Sequence, residues 1–386
     1  MESFNFFNPT RIIFGKNKIQ ELGDYIKQYK NILFTYGGGS IKKNGIYEDV
    51  IKILKNENKT IVELSGIMPN PRTEKVYEGI ELCKKYDIDF ILAVGGGSVI
   101  DCSKAIAIGA KVSEDFWKKF YLDWEECTDG LPLGTILTLS ATGTEMNAGS
   151  VITDWNTHIK TNYATDYMYP KFSILDPTYT YSLPKEQTVY GSIDILAHVF
   201  EQYFSAPDES NLSDDLSEAI IKNVIDNLEV AVNNPNDYIA RSNLMWCSTM
   251  ALNNIIGLGK VQDWNSHQIE HALSGIYDIP HGAGLAIVFP NWMKYVYKSA
   301  IGKFKRYAIN IWNVDTNNKT DEQIALEGIE KTKEYFSKLG APVTLKEVNI
   351  FEEDIDKITQ TVILTGEGSY LVPDKKDVEN ILRSSL

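Results

Sequence analysis

Two short apolar segments of this chain end in the same four residues, Gly-Gly-Gly-Ser. One segment covers residues 31–36 and runs into Gly37-Gly38-Gly39-Ser40, and the other covers residues 89–94 and runs into Gly95-Gly96-Gly97-Ser98. Each glycine string is followed by a segment with helical periodicity. Continuous apolar strands that alternate with amphipathic helices are typical of a parallel sheet covered on both faces. The pattern predicts an α/β domain in the first half of the chain.

The remaining segments predict a second domain of different architecture. Further strands are expected over residues 60–64, 136–139 and 172–175, with helices over residues 42–55 and 74–86. Helical periodicity dominates beyond Pro184, at residues 189–204, 212–232, 239–258, 263–274, 323–338 and 375–386. Because proline interrupts helical hydrogen bonding, helices are expected to stop or start at Pro207, Pro235, Pro280 and Pro290. We predict an α/β domain over residues 1–184 and an all-helical domain over residues 185–386.

The charge of the chain argues against two classes of partner. It carries 52 Asp and Glu residues against 38 Lys and Arg, a net charge of −14. No basic cluster is long enough to bind nucleic-acid phosphates or an anionic membrane surface. No apolar run has the length of a membrane span, and the N-terminal residues lack a signal-peptide pattern. With four scattered cysteines that are expected to be free thiols, the chain is predicted to be cytoplasmic.

The glycine strings indicate phosphate binding. Glycine lets the backbone approach a ligand, and the N-terminus of the next helix offers N–H groups to phosphate oxygens. The second string is not the GxGxxG dinucleotide motif, because Ile100 stands where the third glycine would be. Glycines in a turn from a strand to a helix can also serve backbone geometry alone.

The first glycine string also bears on which dinucleotide would bind. A carboxylate commonly follows this strand in NAD-selective folds and binds the ribose 2′-hydroxyl. Here Ser40, Lys42 and Lys43 follow instead, and they leave room and donors for a 2′-phosphate. The alternative is that the two lysines are only the solvated face of the next helix.

Four of the five histidines form two compact groups. Asp194 and His198 are four residues apart in one helical segment, and His267 and His271 repeat this spacing in another, with His281 shortly after it. Residues four apart project from the same face of a helix. One carboxylate with two or three imidazoles suits a divalent metal such as Fe(II) or Zn(II). His158 stands apart and is expected to be an ordinary surface or loop residue.

These motifs occur in one order along nearly the whole chain. Asp194-x3-His198, His267-x3-His271 and Pro280-His281-Gly282, with Gly95-Gly96-Gly97-Ser98-x2-Asp101, resemble the iron-containing, or group III, alcohol dehydrogenase family. The string from Gly37 to Gly45 and the pair Asp263-Trp264 are similar to its bacterial butanol dehydrogenase branch. The resemblance implies the dehydroquinate synthase-like architecture: a Rossmann-like dinucleotide-binding domain with a parallel sheet, then an all-α metal-binding domain.

The resemblance also implies roles for individual residues. Asp194, His198, His267 and His281 fall on the metal ligands, and His271 falls on a site histidine that could relay a proton. The implied cofactor-binding positions are Gly37, Gly38, Gly39, Ser40, Asn70, Gly96, Gly97, Ser98, Asp101, Thr138, Leu139, Thr142 and Lys160.

At two positions, this sequence differs from relatives within the family. Gly38 stands in the place of an aspartate of NAD-selective relatives, which favours NADP(H), with NAD(H) possible. Gly149 stands where some relatives carry an asparagine near the nicotinamide. One divalent metal is expected, Fe(II) rather than Zn(II).

The predicted function is hydride transfer between a nicotinamide and a small aliphatic alcohol or aldehyde, with butanol and butanal implied by the family. A homodimer is the family expectation. One alternative is a metal-dependent sugar-phosphate cyclase or polyol dehydrogenase of the same superfamily. A cyclase needs basic residues for a substrate phosphate, whereas Phe200, Tyr203, Trp264 and Ile269 surround the histidines in the sequence. Another alternative, a non-catalytic binding module, does not explain two sites in one chain.

Overall fold

A computed structural model describes residues 1–208, 211–366 and 368–386 of the chain. The strands are β1 (Arg11–Phe14), β2 (Asn31–Tyr36), β3 (Thr60–Leu64), β4 (Phe90–Gly95), β5 (Leu133–Leu137), β6 (Gly149–Asp154), β7 (Ile159–Ala164) and β8 (Phe172–Leu175). The helices of the first half are α1 (Leu22–Ile26), α2 (Ser40–Lys43), α3 (Ile46–Asn56), α4 (Thr73–Lys85) and α5 (Gly97–Gly109). The later helices are α6 (Lys185–Tyr203), α7 (Asn211–Asn233), α8 (Tyr238–Ala251), α9 (Asn265–Tyr277), α10 (His281–Val296), α11 (Ile301–Trp312), α12 (Asp321–Lys338), α13 (Ile355–Thr361) and α14 (Lys375–Ser384).

Six strands of the described residues form one parallel sheet in the order β1-β8-β5-β4-β2-β3. The carboxyl ends of parallel strands lie at the same edge, so the glycine strings that follow β2 and β4 are neighbours there. The predicted Rossmann-like α/β fold with a helical second half is confirmed. Strands β6 and β7 form a separate antiparallel hairpin.

Alternate side chains of the central strands enter two different cores. Ile32 and Phe34 of β2 pack in one core with residues of α1 and α3, whereas Leu33 packs in the other with residues of α4 and α5. The same alternation holds along β4, which is buried over its whole length. A strand that is covered on both faces is mostly apolar along its length, and the buried Thr35 of β2 has its hydroxyl bonded to Ser103. This explains why the central strands read as continuous apolar runs.

The described residues divide into two compact units. The sheet unit comprises Phe7–Leu183 and Asn234–Thr249, and the helical unit comprises Met1–Phe6, Pro184–Asn233 and Met250–Leu386. Most of α8 belongs to the sheet unit, because Met245 lies in one of its cores and Thr249 donates a hydrogen bond to Glu145 at 2.6 Å. The domain boundary near Pro184 stays a prediction.

Some local predictions differ from the structure. Pro290 lies inside α10 and does not separate two helices. A proline lacks the N–H group that would bond back along the helix, yet Pro290 is buried within a helix that is continuous from His281 to Val296. The edge strand β1 and the hairpin β6–β7 were not predicted. Among the described residues, no helix is both long and apolar enough to cross a bilayer.

Candidate metal centre and nucleotide site

Three helices of the helical unit bring one carboxylate and three imidazoles together. Asp194 and His198 lie one turn apart on α6, where both are nearly buried. His267 lies in the first turn of α9, and His281 is the first residue of α10. Trp264 ends the preceding segment with a positive φ of 68°, and Pro280 precedes His281 in an extended conformation. Each histidine is thus placed by a helix or its start.

The ring nitrogens converge on one oxygen atom. Asp194 Oδ1 lies 3.6 Å from His198 Nε2, 3.5 Å from His281 Nε2 and 4.0 Å from His267 Nε2. Four ligand atoms held about 2.1 Å from one ion in a tetrahedral arrangement lie about 3.4 Å from one another. The three separations from Asp194 Oδ1 are close to this value, and the donor atoms of Asp194, His267 and His281 all lie within 4.8 Å of one another. The donor set and its spacing therefore fit a divalent metal ion of the first transition row.

Two buried glutamates contact the Nδ1 atoms of two of these imidazole rings. Glu201 Oε1 lies 2.8 Å from Nδ1 of His267, and Glu270 Oε2 contacts Nδ1 of His281. When Nδ1 donates to a carboxylate, Nε2 is left with a lone pair that can face a metal. Burial raises the pKa of Glu201, while backbone N–H groups of His267 and Trp264 oppose this shift and favour the carboxylate.

The sequence prediction missed both glutamates. A signal was present, because Glu201 follows His198 by three residues and Glu270 follows His267 by three. A residue three positions along a helix lies on nearly the same face. Glu201, however, contacts the ring of His267 on another helix, and that pairing depends on the tertiary fold.

His271 lies at the border of this cluster. Its ring centre is 5.7 Å from that of His281 and 6.5 Å from that of His267. His271, Glu270 and His281 form a second group of donor atoms that lie within 4.8 Å of one another. His158 lies in the turn between β6 and β7, with its ring packed against Trp155.

The glycine turns of the sheet unit are shaped by close packing. A Cβ atom on Gly97 would lie 2.6 Å from the Thr142 side chain, and one on Gly96 would lie 3.1 Å from Leu139. Thr138 donates its backbone N–H to Gly95 at 3.0 Å. The structure therefore places the segment that follows β5 directly against the turn from β4 into α5. Only glycine allows this approach.

The other predicted cofactor residues are spread around the same sheet edge. Gly37, Gly38 and Gly39 join β2 to α2, which begins at Ser40, and a Cβ atom on Gly38 would enter open space. Lys160 on β7 donates to the Asn70 side chain at 3.1 Å, and both are buried. Lys42 lies over the rings of Tyr36 and Tyr47. Ser98 lies in the first turn of α5.

Asp101 differs from the other predicted cofactor residues because its carboxylate is bonded within the protein. Its Oδ1 accepts from Thr144 Oγ1 at 2.6 Å, and its Oδ2 accepts from the Val151 N–H at 3.0 Å. Burial raises the pKa of this carboxyl, and nearby Lys104 opposes the shift. These contacts show that Asp101 holds Thr144, which follows β5, and Val151 of β6 in place.

Comparison with known proteins shows the family of the chain. Residues 9–177 match the family described as iron-containing alcohol dehydrogenase, and residues 188–386 match the C-terminal part of the Fe-containing alcohol dehydrogenase family. The chain belongs to the iron-containing alcohol dehydrogenase family. It is a metal-dependent alcohol dehydrogenase or aldehyde reductase that uses a pyridine nucleotide and iron, as the family resemblance implied. The cyclase alternative is not favoured.

Individual relatives cover at least 91% of the chain. It is 46% identical to the probable NADH-dependent butanol dehydrogenase 2 of Bacillus subtilis, over 100% of both chains. It is 38% identical to the NADPH-dependent aldehyde reductase YqhD of Escherichia coli, over 91% of this chain and 90% of that one. The crystal structure of NADH-dependent butanol dehydrogenase A from Thermotoga maritima superposes with a TM-score of 0.95 at 44% identity, covering 100% of this chain and 99% of the other.

Proposed function

We propose that Asp194, His198, His267 and His281 bind the divalent iron of this enzyme. The convergence of three Nε2 atoms on Asp194 Oδ1 at 3.5–4.0 Å is the observation that carries the proposal. One carboxylate leaves an Fe(II) centre with a net positive charge, and an open position suits an alcohol or aldehyde oxygen. Zn(II) fits the same donor set and is the alternative ion.

The protein residues around this centre hold their donor atoms in place before any ligand arrives. A bound divalent metal supplies Lewis acidity, which makes an alcohol more acidic or polarises an aldehyde carbonyl. Glu201 and Glu270 orient two imidazoles, and burial of Asp194 and His198 keeps water from competing for them. His271, beside the cluster, accepts the alcohol proton or returns it during aldehyde reduction, because an imidazole titrates near neutral pH.

The dinucleotide is proposed to bind at the sheet edge. Phosphate oxygens would meet the backbone of residues 95–98 and the start of α5, an N-terminus that favours anions. Gly37–Ser40, Asn70, Thr138, Leu139, Thr142 and Lys160 complete the proposed nucleotide site. Because the Asp101 carboxylate accepts hydrogen bonds from Thr144 and Val151, it acts as a structural support of this site.

We propose that the enzyme accepts NADPH as well as NADH. Open space at Gly38 and the nearby Ser40 and Lys42 leave room for a 2′-phosphate. The Bacillus subtilis relative at 46% identity is named NADH-dependent, and the Escherichia coli relative at 38% is named NADPH-dependent. The preference for NADP(H) that follows from Gly38 stays a prediction, as do a homodimer and a cytoplasmic location.

We propose butanal and butanol as substrates, on the names of the relatives. The decisive experiment measures metal content, and kcat/KM for NADH and NADPH, across aldehydes of two to six carbons. We expect about one metal ion per chain and a kcat/KM maximum near four carbons, because each buried methylene contributes roughly 0.8 kcal/mol until the pocket is filled. A metal-loaded protein that oxidises neither nucleotide with any of these aldehydes would contradict the proposal.

A further inference from the structure

The amine of Lys104 is enclosed inside the sheet unit. Lys104 lies on α5, three residues after Asp101, and its exposed fraction is 0%. Its Nζ donates to Thr144 Oγ1 at 2.8 Å, to the Asn147 carbonyl at 2.8 Å and to its side-chain Oδ1 at 3.0 Å, and to the Gly149 carbonyl at 2.8 Å. A lysine ammonium offers three N–H donors and no acceptor. These partners are all acceptors, so the charged form suits the pocket.

All four contacts lie on residues 144–149, which follow β5 and lead into Gly149, the first residue of β6. Asp101 fastens the same segment by accepting from Thr144 Oγ1 and from the Val151 N–H. Ser150 Oγ also donates to the backbone carbonyl of Asp101 at 2.8 Å. Helix α5 thus anchors residues 144–151 through two side chains and one carbonyl, and Thr144 links the two side chains directly.

The anchored segment continues the wall of the proposed nucleotide site. Just before Thr144, the side chains of Leu139 and Thr142 pack on Gly96 and Gly97, with no room for a Cβ atom on Gly97. Helix α5 begins at that same turn and carries Lys104 near its middle. The one helix therefore supplies both the phosphate-facing N-terminus and the anchor of the opposing wall.

We propose that Lys104 is a positioning residue that fixes residues 138–149 against the glycine turn and thereby sets nucleotide affinity. The inference rests on the proposed nucleotide site. Lys104 does not need to touch the nucleotide. Without its N–H donors, the Asn147 and Gly149 carbonyls lose buried partners, which favours conformations in which they reach water.

The test compares Lys104→Met with the wild-type metal-loaded enzyme. Met keeps the length of the side chain and removes the donors. We expect the dissociation constant of NADH, measured by nicotinamide fluorescence, to rise about ten- to a hundredfold, the range that follows from a buried charged hydrogen bond. Bound metal should stay at the wild-type level, and hydrogen exchange should speed up in residues 144–151.

Ser103→Ala is the matched control on the same helix. Ser103 is equally buried, but its hydroxyl contacts Thr35 on β2 and the Val99 carbonyl. This variant should lower stability while NADH affinity stays within about twofold of wild type. A general loss of stability would instead weaken NADH binding in both variants, and that result would overturn the positioning role.

Thr144→Val is the second variant, in case loss of the charge next to Asp101 prevents folding. It preserves side-chain shape and removes the hydroxyl that links Lys104 to Asp101. We expect a smaller rise in the dissociation constant, about three- to tenfold for one neutral hydrogen bond. If folded Lys104→Met or Thr144→Val binds NADH with wild-type affinity, the positioning role of Lys104 is overturned, but the proposed nucleotide site is not. A wild-type enzyme that binds no nucleotide would overturn the proposed site as well.

Discussion

The Oε1 atom of Glu201 on α6 lies 2.8 Å from the Nδ1 atom of His267 on α9. The same glutamate accepts the backbone N–H of His267 at 3.1 Å and that of Trp264 at 2.9 Å. One buried carboxylate therefore fixes both the start of α9 and the orientation of an imidazole that it carries. The pairing explains how two helices far apart in sequence present their ring nitrogens to one point.

Replacing Glu201 by Gln should weaken metal binding without removing a ligand. The amide cannot take over the charge-assisted hydrogen bond to Nδ1, so the ring loses its preferred tautomer and orientation. We expect metal affinity to fall about 10- to 100-fold, as is typical when such outer partners are changed. Competition with a metal chelator measures this effect. Glu186→Gln, on the exposed start of α6, is the control, and equal metal retention in both variants would contradict the assignment.

His267→Ala should abolish turnover and lower bound metal, while nucleotide binding survives. His267 lies in the helical unit, and the proposed nucleotide residues lie in the sheet unit. Metal binding also stabilises the folded state by an amount that rises with the logarithm of affinity, so chelation should lower the melting temperature of wild type more than that of the variant. His158→Ala, in the turn between β6 and β7, should behave as wild type. Full metal content in His267→Ala would show that the ligand set is wrong.

His271→Ala should keep its metal and lose rate. The histidine lies one helical turn after His267 and outside the group that surrounds Asp194. If it relays the proton, kcat should fall by about 10²–10⁴ and the pH dependence of kcat should change. If the ring only packs beside the cluster, activity drops little and the pH profile stays. Loss of metal in this variant would instead make His271 a ligand.

Gly38→Asp should shift the nucleotide preference toward NADH. The new side chain enters open space, where its carboxylate would repel a 2′-phosphate and accept from a 2′-hydroxyl. We expect the ratio of kcat/KM for NADPH to that for NADH to fall about 10- to 100-fold. Gly38→Asn has nearly the same size without the charge and should change the ratio far less. Identical ratios in the two variants would place the 2′ position elsewhere.

The affinity of wild type for NADH should fall as the pH rises. Burial lowers the pKa of Lys104 to about 7. Below this pH the amine has its full set of N–H donors, and above it one donor is lost, so the anchored segment loosens. The charged groups that act on this amine are Asp101 on the same helix and Glu145 after β5, and both raise its pKa; Lys160 on β7 acts on Asp101.

The measurement is an NADH titration from about pH 6 to about pH 9, a range in which the phosphodiester charges of NADH are constant. Lys104→Met has no amine to titrate, so its weaker binding should lose this slope. A slope that persists unchanged in Lys104→Met would assign the pH dependence to another group.

Much of the fold and the main cluster follow from local sequence. The central strands β2 and β4 were predicted within one residue, because strands covered on both faces are continuously apolar, and both lead into glycines. The edge strand β3 was also predicted with its observed bounds. The i, i+4 spacing of Asp194 and His198 places both on one face of α6 by helix geometry alone. Edge strand β1 and the hairpin β6–β7 carry weaker patterns, because one of their sides is not covered.

The tertiary structure decided the relationships between distant segments. Pro290 stays inside α10 because burial outweighs one missing hydrogen bond. Lys104 reads as an ordinary helical lysine, and only the packing of the β5–β6 segment on α5 surrounds it with acceptors. Glu201 and Glu270 become partners of histidines through packing in the helical unit. Periodicity determines the face on which a side chain lies, whereas long-range packing determines what that face meets.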